Sequence, residues 1–436
     1  MTVNKQDQPK INQFIQFQPS TNQAAVLNQL QRFLNQNYNN TFVLTGSAGT
    51  GKTTVTKVLA DYLAASKTNY YLCAPTGRAA KIISEKTQKE AITIHHLLYT
   101  VNEIKDKDGN VLQIEFVART NISKMATVYI VDESSMVPDQ QPNGDDSFVS
   151  NNSLLCDLIA YVKEGNKDSK IIFIGDKYQL PPVRSAFSPA LDPNYLKKEY
   201  KLNPISANLS EVFRQKDDSY ILTCANIIKK AIDQSVKRLT YSFIDAQNKN
   251  IFIQNYISMQ EKSPKDSVLL AWRNISINDL NQSIRAIKYN DTTFPIVKNE
   301  QLIMAQNSHS SILRNGTFVS VDELIRLEDY QGFKFADVKL REVSTGRALV
   351  GIYKIRIDYL INKDSFMKFE DEKRLFALRM KANSAFRESK DKRVDQYLSA
   401  LKVRYGYAIT VHKSQGGEWK NVFLYPEIPF GKDAGR

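Results

Sequence analysis

The segment Gly46–Thr53 carries the clearest chemical pattern in the sequence. It reads GSAGTGKT and matches the phosphate-binding pattern GxxxxGK[ST]. An apolar run at 41–45 precedes it and a helix-like run follows, which disfavours the alternative of a glycine-rich turn that binds nothing. In such a loop, backbone N–H groups bind phosphate oxygens, the lysine contacts the β- and γ-phosphates, and the hydroxyl holds Mg²⁺. The predicted nucleotide-binding residues are Gly46, Ser47, Ala48, Gly49, Thr50, Gly51, Lys52, Thr53 and Thr54, with Lys52 also catalytic and Thr53 also a Mg²⁺ ligand.

Two further polar segments directly follow apolar runs. Asp132 and Glu133 come after 127–131, where a carboxylate at the tip of a neighbouring strand can hold Mg²⁺. Asp132 is therefore the predicted Mg²⁺ ligand and Glu133 the base that activates water, with a helix N-cap as the alternative. Gln179, in GDKYQLPPV after 170–174, is predicted to bond the γ-phosphate or the attacking water, and a plain turn is its alternative.

The elements that must position these residues follow from the apolar pattern. Short, nearly continuous apolar runs at 41–45, 70–74, 127–131 and 170–174 alternate with helical stretches, which predicts a doubly wound α/β domain. Residues 99–122 predict an inserted β-hairpin. A second α/β region begins near 217, and short β runs over 295–361, rich in glycine, predict a small inserted barrel. A long charged helical segment is predicted over 364–403.

Composition limits the class of protein. The chain has 436 residues, a net charge of +13 and ordinary globular proportions, which excludes a disordered or collagen-like chain. The charge favours a polyanionic partner such as nucleic acid over a generic basic protein, and eight basic residues lie within 373–393, which predicts either a nucleic-acid contact or a solvated helix face. No apolar run reaches transmembrane length, no secretory signal is present, and three scattered cysteines suit a reducing cytoplasm.

Seven motifs follow one another along nearly the whole chain. They are GSAGTGKT (46–53), APTGRAAK (74–81), TIHHLL (93–98), VDES (131–134), GDKYQLPPV (175–183), LSEVFRQ (209–215) and AITVHKSQG (408–416). In this order they resemble the motifs of a superfamily 1 DNA helicase of the RecD-like, Dda-like branch, which moves 5′ to 3′. The resemblance implies an α/β P-loop fold with two RecA-like domains, a β-hairpin insertion and a small SH3-like β-barrel insertion.

The resemblance also implies roles for residues that spacing alone does not assign. Gln23 matches a glutamine that reads adenine, and Arg214 matches an arginine finger on the γ-phosphate, so ATP is the implied nucleotide. From the residues alone, Gln23 fits a surface helix, the histidines fit structural roles, and Trp272 fits either base stacking or the core. The implied single-strand contacts are Pro75, Thr76, His95, Thr410, His412, Ser414 and Gln415.

The implied domains are four. They are 1–98 with 123–216 (ATP-binding domain 1A), 99–122 (the pin that splits the duplex), 217–290 with 404–436 (domain 2A), and 291–403 (domain 2B, a small barrel plus a long basic helix). The implied activity is ATP-dependent 5′-3′ unwinding by a monomeric motor in a bacterial or phage-infected cytoplasm, associated with the nucleoid. Its implied partners are single-stranded and forked DNA, with single-strand-binding, replication or recombination proteins as further candidates, in repair or recombination.

The family pattern continues with a further strand and a second arginine motif. Residues 431–436 do not match that motif, so we expect either a fragment or truncated gene product, or a chain that a second polypeptide completes. Poor ATP hydrolysis is then expected, and a DNA-binding ATP switch without unwinding is the alternative function. A small-molecule kinase is disfavoured, because a kinase needs no second motor domain.

Overall fold

Two compact units make up the chain, Met1–Leu239 and Thr240–Arg436. The sequence places the domain boundary earlier, at 216/217. The helix at Tyr220–Asp233 belongs with the first unit, where Tyr178 Oη donates to Asp233 Oδ2 at 2.9 Å. The computed structural model describes residues 9–105, 111–141, 152–211, 220–234, 249–290, 293–308, 311, 313–361 and 369–425.

A parallel sheet and a hairpin account for the described strands of the first unit. The strands are β1 (Thr41–Gly46), β2 (Asn69–Ala74), β3 (Ile92–Thr93), β4 (Tyr99–Lys105), β5 (Val111–Ala118), β6 (Thr127–Val131), β7 (Lys170–Gly175) and β8 (Pro204–Leu209). Six of them are parallel neighbours in the order β3-β2-β6-β7-β1-β8. The central strands β6, β7 and β1 are almost entirely buried, as their continuous apolar sequences predict.

Helices cover both faces of this sheet. They are α1 (Thr21–Asn35), α2 (Lys52–Ala65), α3 (Gly77–Thr87), α4 (Ile94–Leu98), α5 (Leu154–Glu164), α6 (Pro193–Tyr200) and α7 (Tyr220–Asp233). Leu59 and Ile83 pack into a core on one face, with α1, α2 and α3. Leu97 and Leu158 pack into a core on the other face, with α4, α5 and α6. The doubly wound α/β fold predicted from the sequence is confirmed.

The hairpin of β4 and β5 is anchored at its base. The two strands pair antiparallel from Tyr99 with Ala118 to Lys105 with Val111. The buried Tyr99 hydroxyl donates to Asp157 Oδ2 on α5 at 2.7 Å, and Arg119 Nε donates to the Tyr99 carbonyl at 3.0 Å. The hairpin base is therefore fixed to the sheet domain. Its tip, 106–110, lies outside the described residues.

The second unit combines a parallel sheet with an antiparallel one. Its elements are α8 (Lys249–Lys262), β9 (Ser267–Ala271), α9 (Asn274–Tyr289), β10 (Gln301–Met304), β11 (Phe318–Tyr330), β12 (Phe333–Glu342), β13 (Tyr353–Arg356), α10 (Asp358–Ile361), α11 (Phe369–Ala382), α12 (Ser384–Ser389), β14 (Val403–Tyr405), β15 (Ala408–Thr410), α13 (Val411–Ser414) and β16 (Asn421–Leu424). The described parallel strands lie in the order β15-β9-β16, and the antiparallel ones in the order β13-β12-β11-β10-β14.

The antiparallel sheet curls into a small barrel. Ile355 at one edge forms a bridge with Leu401, just before β14 at the other edge. Leu401 N donates to the Lys354 carbonyl at 2.7 Å, and Arg356 N donates to the Leu401 carbonyl at 3.0 Å. The predicted barrel insertion is therefore present, and β14 is part of it. The chain returns to the parallel sheet only at Ala408, later than the predicted residue 404.

The predicted long basic helix is wrong, because the described part of this segment is broken into pieces. Helix α11 ends at Ala382, and Asn383 caps α12 by accepting a hydrogen bond from Phe386 N at 3.1 Å. Some cations of the basic run also have partners within the unit. Arg379 Nε contacts Asp395 Oδ2 at 2.9 Å, and its guanidinium lies 4.5 Å from the Tyr397 ring centre. Part of the predicted positive face is therefore engaged in packing.

Among the described residues, no helix is both long and apolar enough to cross a membrane.

Candidate nucleotide site and strand contacts

The loop between β1 and α2 has the backbone shape that its glycines predict. Gly49 and Gly51 have φ values of 82° and 89°, which side chains other than glycine rarely adopt. A Cβ built on Gly51 would lie 2.4 Å from Gln23 Nε2. Lys52 begins α2, and its Nζ donates to the carbonyls of Gly46 and Ser47 at 2.7 and 3.0 Å. The lysine amine therefore lies within the loop that is predicted to bind phosphates.

Gln23 packs against the same loop. Its Nε2 donates to the Thr50 carbonyl at 3.3 Å, and the side chain is buried. Its Oε1 accepts from Ser20 N while its own N–H bonds Ser20 Oγ, which forms a capping box at the start of α1. The structure thus brings Gln23 to the loop, where its amide already serves two protein contacts. The adenine role remains a prediction.

Asp132 and Glu133 follow β6 at the carboxyl edge of the sheet. Asp132 is 4% exposed, and its Oδ1 accepts from Glu133 N at 2.8 Å. Burial raises the pKa of Asp132, and the Glu133 N–H bond and the charge of Lys52 oppose that rise. Glu133 has φ 52° and ψ 37°, a left-handed conformation that costs a non-glycine residue about 1–2 kcal/mol.

The environment of Glu133 brings its carboxyl to the range of neutral pH. Burial, followed by the charge of Asp132, raises its pKa to about 7, with a smaller rise from Asp176 and an opposing effect of Lys52. Glu133 Oε2 is buried without a hydrogen-bond partner among the described residues. A buried carboxylate oxygen with no protein donor is available to a ligand or a water molecule.

Gln179 and Asp176 follow the next strand, β7. Asp176 is buried, and its Oδ1 accepts from Tyr178 N at 3.0 Å, which shapes the turn. Gln179 N donates to the Asp176 carbonyl at 3.1 Å, and within the described chain no partner contacts the buried Gln179 Oε1. Because β6, β7 and β1 are adjacent strands, this turn, the carboxylate pair and the phosphate-binding loop share one edge of the sheet.

The predicted strand contacts of the first unit lie at the same edge, beyond β6. Pro75 and Thr76 follow β2, and Thr76 Oγ1 caps α3 by accepting from Ala79 N at 3.2 Å. His95 lies on α4, directly after β3, with its ring 5.7 Å from that of Tyr99. The His95 side chain is exposed in surface area, yet desolvation by surrounding protein lowers its pKa. The fold brings these three residues together, and their DNA role remains a prediction.

The second unit presents its predicted contacts at the carboxyl edge of its own parallel sheet. Thr410 ends β15 and caps α13 by accepting from Lys413 N at 3.3 Å. Ser414 Oγ donates to the Val411 carbonyl at 2.8 Å. Four predicted residues are half-buried here: Thr410, His412, Ser414 and Gln415. Arg214, the predicted arginine finger, lies outside the described residues.

A buried polar network holds the backbone that leads into this segment. Asn281 Oδ1 accepts from Tyr407 N and Ala408 N at 3.1 and 2.9 Å, and Asn281 Nδ2 donates to the Ala408 carbonyl at 3.2 Å. Tyr407 Oη donates to Glu300 Oε1 at 2.9 Å, and the buried Arg285 pairs with Glu300 at 3.0 Å. The position of β15 is therefore fixed by α9 and by the barrel.

Comparisons with known proteins agree with this geometry. A family model described as an AAA domain matches residues 30–185. The RecD2 DNA helicase of Deinococcus radiodurans is 33% identical over 170 residues, which are 38% of this chain and 18% of RecD2. The DNA helicase Dda of Enterobacteria phage T4 is 27% identical over 274 residues, which are 60% of this chain and 56% of Dda. Over these stretches the chain is similar to superfamily 1 helicases of the RecD and Dda type.

A solved structure agrees with the fold of this chain. A structure of two coordinating Pif1 helicases at forked double-stranded DNA matches with a TM-score of 0.50 and 17% identity. That match covers 94% of this chain and 86% of the Pif1 chain. The chain spans less than two thirds of the length of the curated relatives named above.

Sequence reasoning left some residues of this site unassigned. Asp176 raises the pKa of Glu133, and its signal was the same as that of Asp132: a carboxylate directly after a buried strand. Lys86 on α3 lowers the pKa of both Asp132 and Glu133. No local pattern marks Lys86, because its charge reaches the site only through the folding of α3 against the sheet.

Proposed function

We propose that the chain is an ATP-dependent DNA helicase that hydrolyses ATP to move 5′ to 3′ along single-stranded DNA and to unwind a fork. Glu133 is the observation that carries the proposal. Its buried carboxyl has a pKa raised to about 7, lies next to Asp132, and has an Oε2 with no partner among the described residues. A carboxyl that titrates near the working pH suits a general base for water. A protein that only binds nucleotide has no need of such a base.

The surrounding residues fit the other parts of the reaction. Lys52, whose Nζ lies within the loop, supplies positive charge to the β- and γ-phosphates. Thr53 and Asp132 are oxygen donors of the kind that Mg²⁺ prefers, and they would hold the ion. When bound, Mg²⁺ neutralises charge on the phosphate oxygens. Gln179 would orient the attacking water toward Glu133, and Arg214 would act as an arginine finger.

The DNA part of the proposal rests on the predicted contacts and the net charge. Single-stranded DNA would contact Pro75, Thr76 and His95 in the first unit, and Thr410 with His412, Ser414 and Gln415 in the second. The net charge of +13 supports a polyanionic partner, so binding should weaken steeply as salt rises. The hairpin β4–β5, anchored through Tyr99, would separate the strands of a fork. The 5′-3′ polarity is supported by the motif resemblance to the RecD-like and Dda-like branch.

The same proposal places the action of the protein in the cytoplasm of a bacterial or phage-infected cell, at the nucleoid. Roles in repair or recombination, beside single-strand-binding or replication proteins, would follow from such an activity.

The test measures ATP hydrolysis and the unwinding of two forked duplexes, one with a single-stranded tail only on its 5′ side and one with a tail only on its 3′ side. We expect single-stranded DNA to stimulate hydrolysis and only the 5′-tailed substrate to be unwound. Glu133→Gln should keep ATP binding and lose hydrolysis, because the amide keeps the size and cannot accept the proton. Glu85→Gln, an exposed residue of α3 that pairs with Lys81, is the matched control.

The possible outcomes separate the candidate functions. Stimulated hydrolysis without unwinding of either fork would favour a DNA-dependent ATP switch. Hydrolysis that ignores DNA would contradict a DNA motor. Undiminished single-turnover hydrolysis by Glu133→Gln would contradict the base assignment.

A further inference from the structure

The two tryptophans of the chain have different surroundings. Trp419 packs against a buried cluster formed by Val268, Leu270, Ile303 and Ile409. Trp272 is half-buried and belongs to none of the hydrophobic clusters formed by the described residues. Burial in a hydrophobic core therefore accounts for Trp419 but not for Trp272.

Trp272 occupies the edge at which a parallel sheet binds ligands. It directly follows β9, the central strand of the three-stranded sheet, and therefore lies at the carboxyl ends of the strands. β15 is a direct neighbour of β9, with Thr410 paired to Ala271. Trp272 is thus next to the segment 410–416, which the proposed function assigns to single-stranded DNA.

One side of Trp272 is supported by another ring. The ring centres of Trp272 and His412 are 5.2 Å apart, with an angle of 53° between the ring planes. His412 lies on α13, whose first turn is capped by Thr410. The tryptophan ring is therefore held by a neighbour on one side while part of its surface remains accessible to solvent.

Two cations lie next in sequence to the two ring residues. Arg273 follows Trp272 directly and is exposed, and Lys413 follows His412 directly and is exposed. The segment 410–416 contains no acidic residue. Aromatic side chains that stack on bases, together with cations that contact phosphates, are the combination that binds single-stranded nucleic acid.

We propose that Trp272, supported by His412, is a stacking platform for one base of single-stranded nucleic acid. The inference rests on the proposed function only in that the strand passes this edge of the second unit. The ligand is a single strand, because a base in a duplex already has stacking partners on both faces. Stacking uses the face of the base, so the platform tolerates any base sequence.

The experiment uses the fluorescence of the two tryptophans and an oligothymidine of about 15 nucleotides. In Trp419→Phe the tryptophan fluorescence comes from Trp272 alone, and we expect DNA to quench it. In Trp272→Phe only the core ring emits, and DNA should leave that emission nearly unchanged. Binding is measured separately by the anisotropy of a labelled oligonucleotide, at fixed salt.

Affinity supplies the quantitative test. Trp272→Ala should bind the oligonucleotide roughly 5- to 150-fold more weakly, the range found when a stacking aromatic is replaced by alanine. Trp272→Phe keeps a stacking ring and should lose much less, and equal melting temperatures verify that the variants fold. The loss on alanine substitution should disappear with an oligonucleotide made entirely of abasic sites, because phosphate contacts remain and the base is absent.

Each failure has a distinct meaning. If the parent binds the oligonucleotide and Trp272→Ala binds it equally well, the platform is wrong and the proposed helicase function is unaffected. The platform is also wrong if alanine weakens binding to abasic and normal oligonucleotides by the same factor. If the parent binds no single strand at all, the proposed function and the platform fail together.

Discussion

The carboxyl edges of the two parallel sheets occupy equivalent positions in their folds but differ in burial and charge. At the first edge, Asp132 and Asp176 are 4% and 5% exposed, and Glu133 has an unpartnered buried oxygen within the described structure. At the second edge, the segment 410–416 is half-buried or exposed and contains no carboxylate. We call them the catalytic edge and the strand edge.

Under the proposed function, the difference lets one type of sheet edge serve two purposes. Desolvation at the catalytic edge raises the pKa of Glu133 to about 7, which makes a carboxylate a useful base. A polyanion that must move along a protein needs the opposite environment, with accessible cations and ring faces. Changes at the catalytic edge should therefore affect turnover, and changes at the strand edge should affect DNA affinity.

The largest expected effect is at the catalytic edge. Lys52→Ala should reduce ATP turnover by at least about 100-fold, because under the proposed function it removes the positive charge that stabilises the reacting phosphates. The fold should survive, since the hydrogen bonds of the amine within the described structure go to two carbonyls of the loop. Steady-state ATPase and a thermal melt measure the two quantities. Lys57→Ala, which removes an ion pair to Asp61 on the same helix, is the control, and equal rates for both variants would contradict the assigned role.

The hairpin should separate turnover from strand separation. Replacing 106–110 with two glycines should slow fork unwinding about tenfold, a barrier increase of about 1.4 kcal/mol, and leave DNA-stimulated ATPase within about twofold. The reason is that the hairpin contributes no nucleotide ligand among the described residues. Unwinding at the parental rate would show that the strands separate elsewhere. Tyr99→Phe, which removes the bond to Asp157, should give a smaller loss in the same direction.

The strand edge can be weakened without touching a proposed DNA contact. Asn281→Ala leaves the N–H groups of Tyr407 and Ala408 buried without their acceptor, which costs about 1–3 kcal/mol of stability. We expect a lower melting temperature for the second unit and weaker oligonucleotide binding, because β15 leads into Thr410. Gln282→Ala, an exposed neighbour on α9, is the control. Unchanged DNA affinity in Asn281→Ala would separate the network from the strand edge.

The smallest expected effect is on thermal stability, because burying the charged carboxylate of Glu133 costs free energy. Its pKa is 4.5 when unperturbed and about 7 when folded, so the folded state holds the proton more tightly than the unfolded state. The tighter binding of this proton stabilises the folded state at low pH, and the stabilisation is lost as pH rises through about 7. Glu133→Gln should therefore melt at a higher temperature than the parent by roughly a few °C at pH 8, and the difference should shrink toward pH 5. Calorimetry without nucleotide measures it, and a pH-independent difference would contradict the assigned burial.

The sequence predicted the central sheet well, because strands buried on both faces have continuous apolar runs. Strand β6 has the predicted limits, and β1 and β7 extend the prediction by one residue. The edge strand β8 was not predicted, since exposed Ser206 and Asn208 interrupt its apolar pattern. An edge strand is solvated along one side, so its sequence carries a weaker signal.

Sequence patterns predicted the individual residues of the candidate site better than the contacts between those residues. The phosphate-binding loop, Asp132, Glu133 and Gln179 followed from local patterns. The contact of Gln23 with Thr50 and the effect of Lys86 on Glu133 depend on tertiary packing, which no local spacing encodes. The break at Asn383 was missed because charged residues on both sides are compatible with one continuous helix.

The connection from β14 to β15 has a consequence for any attempt to shorten or graft this protein. Only Gly406 and Tyr407 join the last barrel strand to the strand that ends at Thr410. A Cβ on Gly406 would lie 2.8 Å from the Leu302 backbone, so the joint is packed against the barrel with no room for a longer side chain. Removing the barrel would remove the surface against which residues 406–407 pack. A chimera that exchanges the barrel should therefore transfer 406–407 and the first residues of β10 together with the barrel.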